Sequence, residues 1–207
     1  MRITPASDLK REIRLGESQG HRTLGVLHLS DVYKRFMERL QPHRFDTSKP
    51  LDKLRLEIGL LVENAIEREM LAKFATQRPG ELIGDMDGVP VYMTPDGVNP
   101  TYAAGEEYKA TFMSSSQGLT DEDGQPLIKF VHWFVQMKGY AKWLGTNTFI
   151  LWVLFLNGDY KWHKDEKGKS YPTGPQFEPF WITFSDEEIE ENWTMLTNFA
   201  RSEGMLT

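Results

Sequence analysis

Cysteine is absent from this sequence, which removes disulfides, thiolate metal sites and cysteine-ligated iron–sulfur clusters together. Long apolar runs are missing as well, and nothing approaches the roughly 18 residues a membrane-crossing helix needs. The first twenty residues, MRITPASDLKREIRLGESQG, are charged throughout and have no apolar centre of the secretory kind. No G-x-x-x-x-G-K-[ST] loop, no His/Asp cluster with zinc spacing and no internal repeat is present. His163-Lys164-Asp165 reads as loop polarity. The expectation is a soluble cytoplasmic protein with no membrane contact.

What the chain does contain is enough apolar side chain for one packed core: 40% hydrophobic and 12% aromatic over 207 residues. Its formal charge of −6 is unevenly spread. Residues 1–79 hold fifteen Lys/Arg against eleven Asp/Glu, and residues 80–207 hold nine against nineteen. The basic part suits a polyanion, with Lys34, Arg35, Arg39 and Arg44 as candidates for a phosphate track. A solvated helical surface of mixed sign is the alternative.

Periodicity orders the elements. Residues 1–22 read as a polar arm, and Ser30 as the N-cap of a helix over 31–40. A linker rich in turn formers follows. The longest helical pattern runs from Leu51 to about Ala75, with Leu54, Ile58, Leu61, Val62, Ala65, Ile66 and Met70 at three- and four-residue steps. The period then changes to that of a β-hairpin turning at Asp87-Gly88, with a second strand over 89–94. GEEYKATFMS reads as a third strand, and residues 114–126 as a polar loop. A helix over LIKFVHWFVQMKGYAKWL ends at Gly145. TFILWVLFLNGDYKW reads as a strand buried on both faces, followed by a loop and a short strand, FWITF. Ser185 with Glu188 forms a capping box for a final helix over 186–202. The order implies one α/β domain spanning 1–207, with an arm and helix over 1–50, a core over 51–160 and a last strand and helix over 161–207.

Chemistry concentrates in residues 94–112, TPDGVNPTYAAGEEYKATF. On a strand Glu107 and Lys109 share one face and Tyr108 takes the other. Asp96 follows Pro95, at the end of the preceding strand, eleven residues before Glu107. If the two strands pair, Asp96 lies beside Glu107, and two adjacent carboxylates repel unless a proton or a cation sits between them. A hard divalent ion bound by these carboxylates and the Tyr108 carbonyl would remove that repulsion. A same-face Glu107–Lys109 pair on an exposed strand is the alternative. Glu63 interrupts the apolar run of the long helix, and Gln136 and Tyr140 stand at i and i+4 on the next one. His132 lies one turn before Gln136, approaching a ligand or packed in the core.

Glu63 on a helix, Pro95-Asp96, Glu107-x-Lys109 and Gln136-x-x-x-Tyr140, in that order, resemble the PD-(D/E)XK nuclease superfamily. More narrowly they resemble its RecB-like and lambda-exonuclease-like branch, over residues 51–160. The resemblance implies a restriction-endonuclease-like αβββαβ core, a central mixed sheet flanked by helices. It implies a Mg²⁺ or Mn²⁺ ion held by Asp96 and Glu107 with the Tyr108 carbonyl, and by Glu63 directly or through water. Lys109 would position the attacking water, and Gln136 and Tyr140 would hold that lysine and the DNA backbone. Relatives with a four-cysteine iron–sulfur cluster are excluded by composition. The implied activity is hydrolysis of DNA phosphodiesters, first as an exonuclease of recombination, repair or end processing, of the kind viral genomes encode. DNA is then the partner, with a recombination or single-strand-binding protein beside it, in the host cytoplasm if the source is viral. A structure-selective or nicking endonuclease, and a non-catalytic DNA-binding subunit retaining the fold, are the alternatives.

Overall fold

The computed structural model describes residues 1–5, 25–42 and 50–206. Arg44 and the predicted arm beyond Pro5 lie outside the described residues. The protein is α/β: among the described residues, a five-stranded mixed sheet is flanked by four helices, with two small separate hairpins.

The sheet is built around TFILWVLF, strand β6 (Thr148–Phe155), which runs parallel to β5 (Ala104–Thr111) and antiparallel to β9 (Gln176–Thr183). The outer strands are β1 (Arg2–Pro5), paired to β9, and β4 (Gly97–Asn99), paired to β5. The absence of alternation in β6 follows from helices on both faces. Phe149, Leu151, Val153 and Phe155 point into a core shared with helices α1 (Leu29–Leu40), α3 (Val131–Leu144) and α4 (Asp186–Ser202). Ile150 and Trp152 point the other way, against Ile66 and Met70 of α2 (Pro50–Lys73) and against Tyr108.

Several local signals act as expected. Ser185 and Glu188 form both bonds of the capping box on α4. Gly145 ends α3 in the left-handed conformation, φ 74°. Asp87-Gly88 turns the hairpin of β2 (Leu82–Met86) and β3 (Val89–Met93).

Other expectations change. The predicted arm begins with β1, an edge strand of the main sheet. His28 holds the cap position of α1, and Ser30 lies inside its first turn. Leu61, assigned to the buried stripe of α2, is 68% exposed; Ala65, Ile66 and Met70 carry that stripe. The β2–β3 hairpin stands apart from the main sheet, so β3 does not bring Asp96 to β5. The three residues of β4, too short to show a period, make that pairing instead. The run through TFILWVLFLNGDYKW leaves the sheet at Phe155, and the loop after it contains a hairpin, β7 (Trp162–Lys164) with β8 (Ser170–Pro172). The last strand begins at Gln176, four residues before FWITF, because β6 offers it eight paired positions.

Candidate active site

Strand β4 covers only the first half of β5. Its register ends with Gly97 opposite Glu106, and among the described residues the edge of β5 beyond Glu106 has no partner strand on that side. Unpaired strand N–H groups are costly when sheltered from water. Two carboxylates take the place of a strand. The Tyr108 N–H donates to Asp96 Oδ2 at 2.8 Å, and the Ala110 N–H donates to Glu63 Oε1 at 3.2 Å. Asp96 stands one residue before β4, and Glu63 reaches the edge from α2. Because a strand residue's N–H and C=O leave on the same side, the Tyr108 carbonyl also faces the Asp96 edge.

Glu107 and Lys109 project from β5 toward α1 and α3, and Tyr108 projects into the opposite layer. Lys109 Nζ lies 2.6 Å from Glu107 Oε1 and 3.8 Å from Glu63 Oε2. Glu107 is fully buried, yet among the described residues neither of its oxygens accepts an aligned hydrogen bond. The neighbouring Glu106, also fully buried, differs sharply. It accepts from the Thr76 hydroxyl, from Asn99 Nδ2 at 2.9 Å and from the Tyr108 hydroxyl at 2.6 Å. One carboxylate is saturated by neutral donors of its own fold; the other is met at Oε1 by the Lys109 ammonium and keeps Oε2 without a donor among the described residues.

The electrostatics follow from burial and crowding. Burial pushes the Asp96 carboxyl well above the ordinary aspartate range, and the charge of Glu107 adds to it. Burial likewise raises Glu107 and Glu63, each opposed by the Lys109 ammonium. Burial works against the charge on Lys109, but Glu107, Glu63 and Asp96 outweigh it and hold its pKa well above the usual lysine value. Lys109 is therefore a fixed cation and a hydrogen-bond donor. Three carboxylates around one ammonium leave an excess of two negative charges, which protons or a divalent cation would balance.

Helix α3 closes the site from above the sheet. Gln136 Nε2 donates to the Tyr140 hydroxyl at 2.8 Å, and both side chains are buried. Burial raises the Tyr140 phenol well above its ordinary value, with Glu107 and Asp96 adding to the shift. The i, i+4 pair thus sits within the field of the carboxylates. Sequence reading missed Tyr33 of α1, whose phenol is raised by burial and feels Lys109, Glu107, Glu63 and Asp96. Only its place on the inward stripe with Leu29, Val32 and Met37 could have pointed to it. His132 packs beside Trp133, with ring centroids 5.6 Å apart. Arg35 and Arg39, assigned to a phosphate track, pair with Glu203, the C-cap of α4, at 3.4 and 3.1 Å.

The donor set suits a hard cation in part. Glu107 offers a buried Oε2 that meets no donor among the described residues and an Oε1 paired to Lys109, and Asp96 and the Tyr108 carbonyl share the adjoining edge. Mg²⁺ commonly takes one or two protein carboxylates, with waters and phosphate oxygens completing its shell. Among the described residues, however, no three carboxylate or imidazole groups converge tightly enough to enclose a metal ion by themselves. Glu63 is turned to Lys109 and the Ala110 amide, so the three-carboxylate set is not assembled in this arrangement.

No family model matches the chain, and no curated protein is similar to it in sequence. Among solved structures it is similar to one described as the crystal structure of SSO0001. The TM-score is 0.50, covering 91% of this chain and 79% of that one at 13% identity. At that identity the likeness speaks for a shared α/β fold.

Proposed function

We propose that the protein is a metal-dependent nuclease that hydrolyses DNA phosphodiester bonds, in the manner of the PD-(D/E)XK enzymes its motifs resemble. One observation carries the reading: a fully buried Glu107 whose Oε1 is ion-paired to the charged Lys109 at 2.6 Å, whose Oε2 meets no hydrogen-bond donor among the described residues, and whose charge is felt by the Asp96 carboxyl. Leaving a buried charged acceptor unsatisfied costs more than the roughly 1–3 kcal/mol of a neutral group. Such sites are concentrated where a ligand completes them.

Asp96 and Glu107 would hold Mg²⁺ or Mn²⁺, with the Tyr108 carbonyl beside them and Glu63 acting through water. The ion, when bound, supplies Lewis acidity that acidifies a water and neutralises charge on the phosphate. Lys109, unable to accept a proton, donates to the attacking water and to the developing charge on the phosphate. Gln136 fixes the Tyr140 hydroxyl, and together they bound the space above Lys109. The form of the activity is exonuclease action on linear DNA, in recombination, repair or end processing. Lys109 lying against both Glu63 and Glu107 favours a second reading, a non-catalytic DNA-binding subunit whose ammonium has taken the cation's place.

The test uses end-labelled linear duplex and closed circular DNA, with Mg²⁺, Mn²⁺ or EDTA. The expected result is ion-dependent loss of linear DNA, abolished by EDTA and slowed at least ~100-fold by Lys109→Met. Degradation of the circle as well makes the enzyme an endonuclease. No hydrolysis with either ion, or equal activity in Lys109→Met, overturns the proposal.

A further inference from the structure

The β7–β8 hairpin leaves the sheet beside the catalytic strand. Its base is tied to the exit of β5: Asn157 Nδ2 donates to the Phe112 carbonyl at 2.9 Å, the Tyr160 hydroxyl donates to the same carbonyl, and the Ser115 N–H donates to the Gly158 carbonyl at 2.9 Å. Asp159 braces the base by accepting from the Lys161 N–H at 2.9 Å and from the Thr173 hydroxyl. Phe112 follows Lys109 by three residues, a strand distance of about 10 Å. The hairpin is thus anchored close to the candidate active site.

Its surface has an unusual composition for a solvent loop. Trp162 is 70% exposed and Tyr160 56% exposed, on a segment whose Lys161, Lys164, Lys167 and Lys169 are all exposed. Among the described residues none of these lysines is held in an ion pair. Trp162 and Lys164 share a face of the hairpin, opposite Pro172 and Ser170. An indole with an ammonium two residues away presents a stacking plane and a phosphate partner about 7 Å apart. The turn at the tip is closed by Asp165, which accepts from the Lys167 and Lys169 N–H groups at 2.9 and 2.8 Å. Asp165 and Glu166 at the tip would meet an anionic membrane first, which argues against a lipid surface.

We infer that the β7–β8 hairpin is a single-strand-binding element that holds unpaired DNA nucleotides beside the scissile phosphate, with Trp162 stacking on a base and Lys164 and its neighbouring lysines pairing with phosphates. The inference rests on the nuclease reading for its purpose but not for its test. Binding is measured in EDTA, by fluorescence anisotropy of a labelled oligothymidylate and of a blunt duplex. Trp162→Ala weakens single-strand binding about tenfold and leaves duplex binding as it was, and Trp162→Phe recovers most of the loss. Lys164→Gln with Lys167→Gln reduces the slope of log affinity against log salt by about 0.7 for each phosphate that is no longer neutralised. Oligothymidylate binding by Trp162→Ala equal to that of wild type overturns the inference. So does Trp162-dependent binding of phosphatidylserine vesicles in place of the oligonucleotide. A protein that binds the strand through Trp162 yet hydrolyses nothing with Mg²⁺ or Mn²⁺ upholds the hairpin's role and sinks the nuclease reading.

Discussion

Glu106 accepts three hydrogen bonds and Glu107, the next residue, accepts none that is aligned. Their substitutions therefore separate stability from chemistry. Glu106→Gln turns an amide toward three donors and is expected to lower unfolding free energy by about 1–3 kcal/mol, read by urea denaturation. Asp96 supplies a pH test. Its carboxyl is raised in the folded protein, so the folded state binds a proton that the unfolded chain releases. Stability from this group is full below the ordinary aspartate pKa of 3.8 and is lost as pH rises through the raised value. Without metal, Asp96→Asn should flatten that decline and raise the Tm on its high-pH side, read by thermal unfolding across pH. The substituted amide keeps an oxygen for the Tyr108 N–H. Mn²⁺ should raise the Tm of wild type and leave that of Asp96→Asn unchanged, a result thermal unfolding reads without any assay of activity. The sequence named Glu107, Lys109, Asp96 and Glu63 as a group. The pleat singled out Glu107 by its shared face with Lys109, but that Glu106 is saturated by Thr76, Asn99 and Tyr108 shows only in three dimensions.

At the scale of elements, the short β4 decides the site. Gly97 packs so closely that a Cβ there would lie 2.6 Å from Thr76 Cγ2 and 3.1 Å from the Tyr108 hydroxyl. Gly97→Ala should push β4 off β5 and carry Asp96 with it. The expected outcome is a metal affinity weakened at least ~10-fold, as for displaced outer partners of a ligand set, measured by Mn²⁺ titration, in a protein that still folds. Helix ends were legible because caps are local: Ser185 and Gly145 act through atoms within a few residues. Ser185→Ala should cost α4 about 1 kcal/mol, seen as a lower urea midpoint. The pairing of β4 was not legible, since three residues show no period and their partner is chosen by the edge of β5. The β7–β8 hairpin escaped notice for a similar reason: exposed strands have no buried face to imprint alternation.

Across the whole molecule, burial grades outward from β6. Its backbone is paired on both sides and covered on both faces, while β7, exposed throughout, and β8 pair among the described residues only with each other. Amides of Phe149–Phe155 should exchange last with deuterium and those of Trp162–Pro172 first, by hydrogen-exchange mass spectrometry. Composition and period determined by themselves that the chain is α/β and that TFILWVLF is its centre. These are properties of neighbours along the chain, carried by side-chain spacing of about 2.0 or 3.6 residues. Which edge of β5 stays open, that Asp96 and Glu63 close it, that Tyr33 joins the site and that Arg35 and Arg39 turn instead to Glu203 were decided only in three dimensions. Each depends on two segments distant in sequence meeting across a sheet edge or between helices, where contact geometry, and not local propensity, sets the energy.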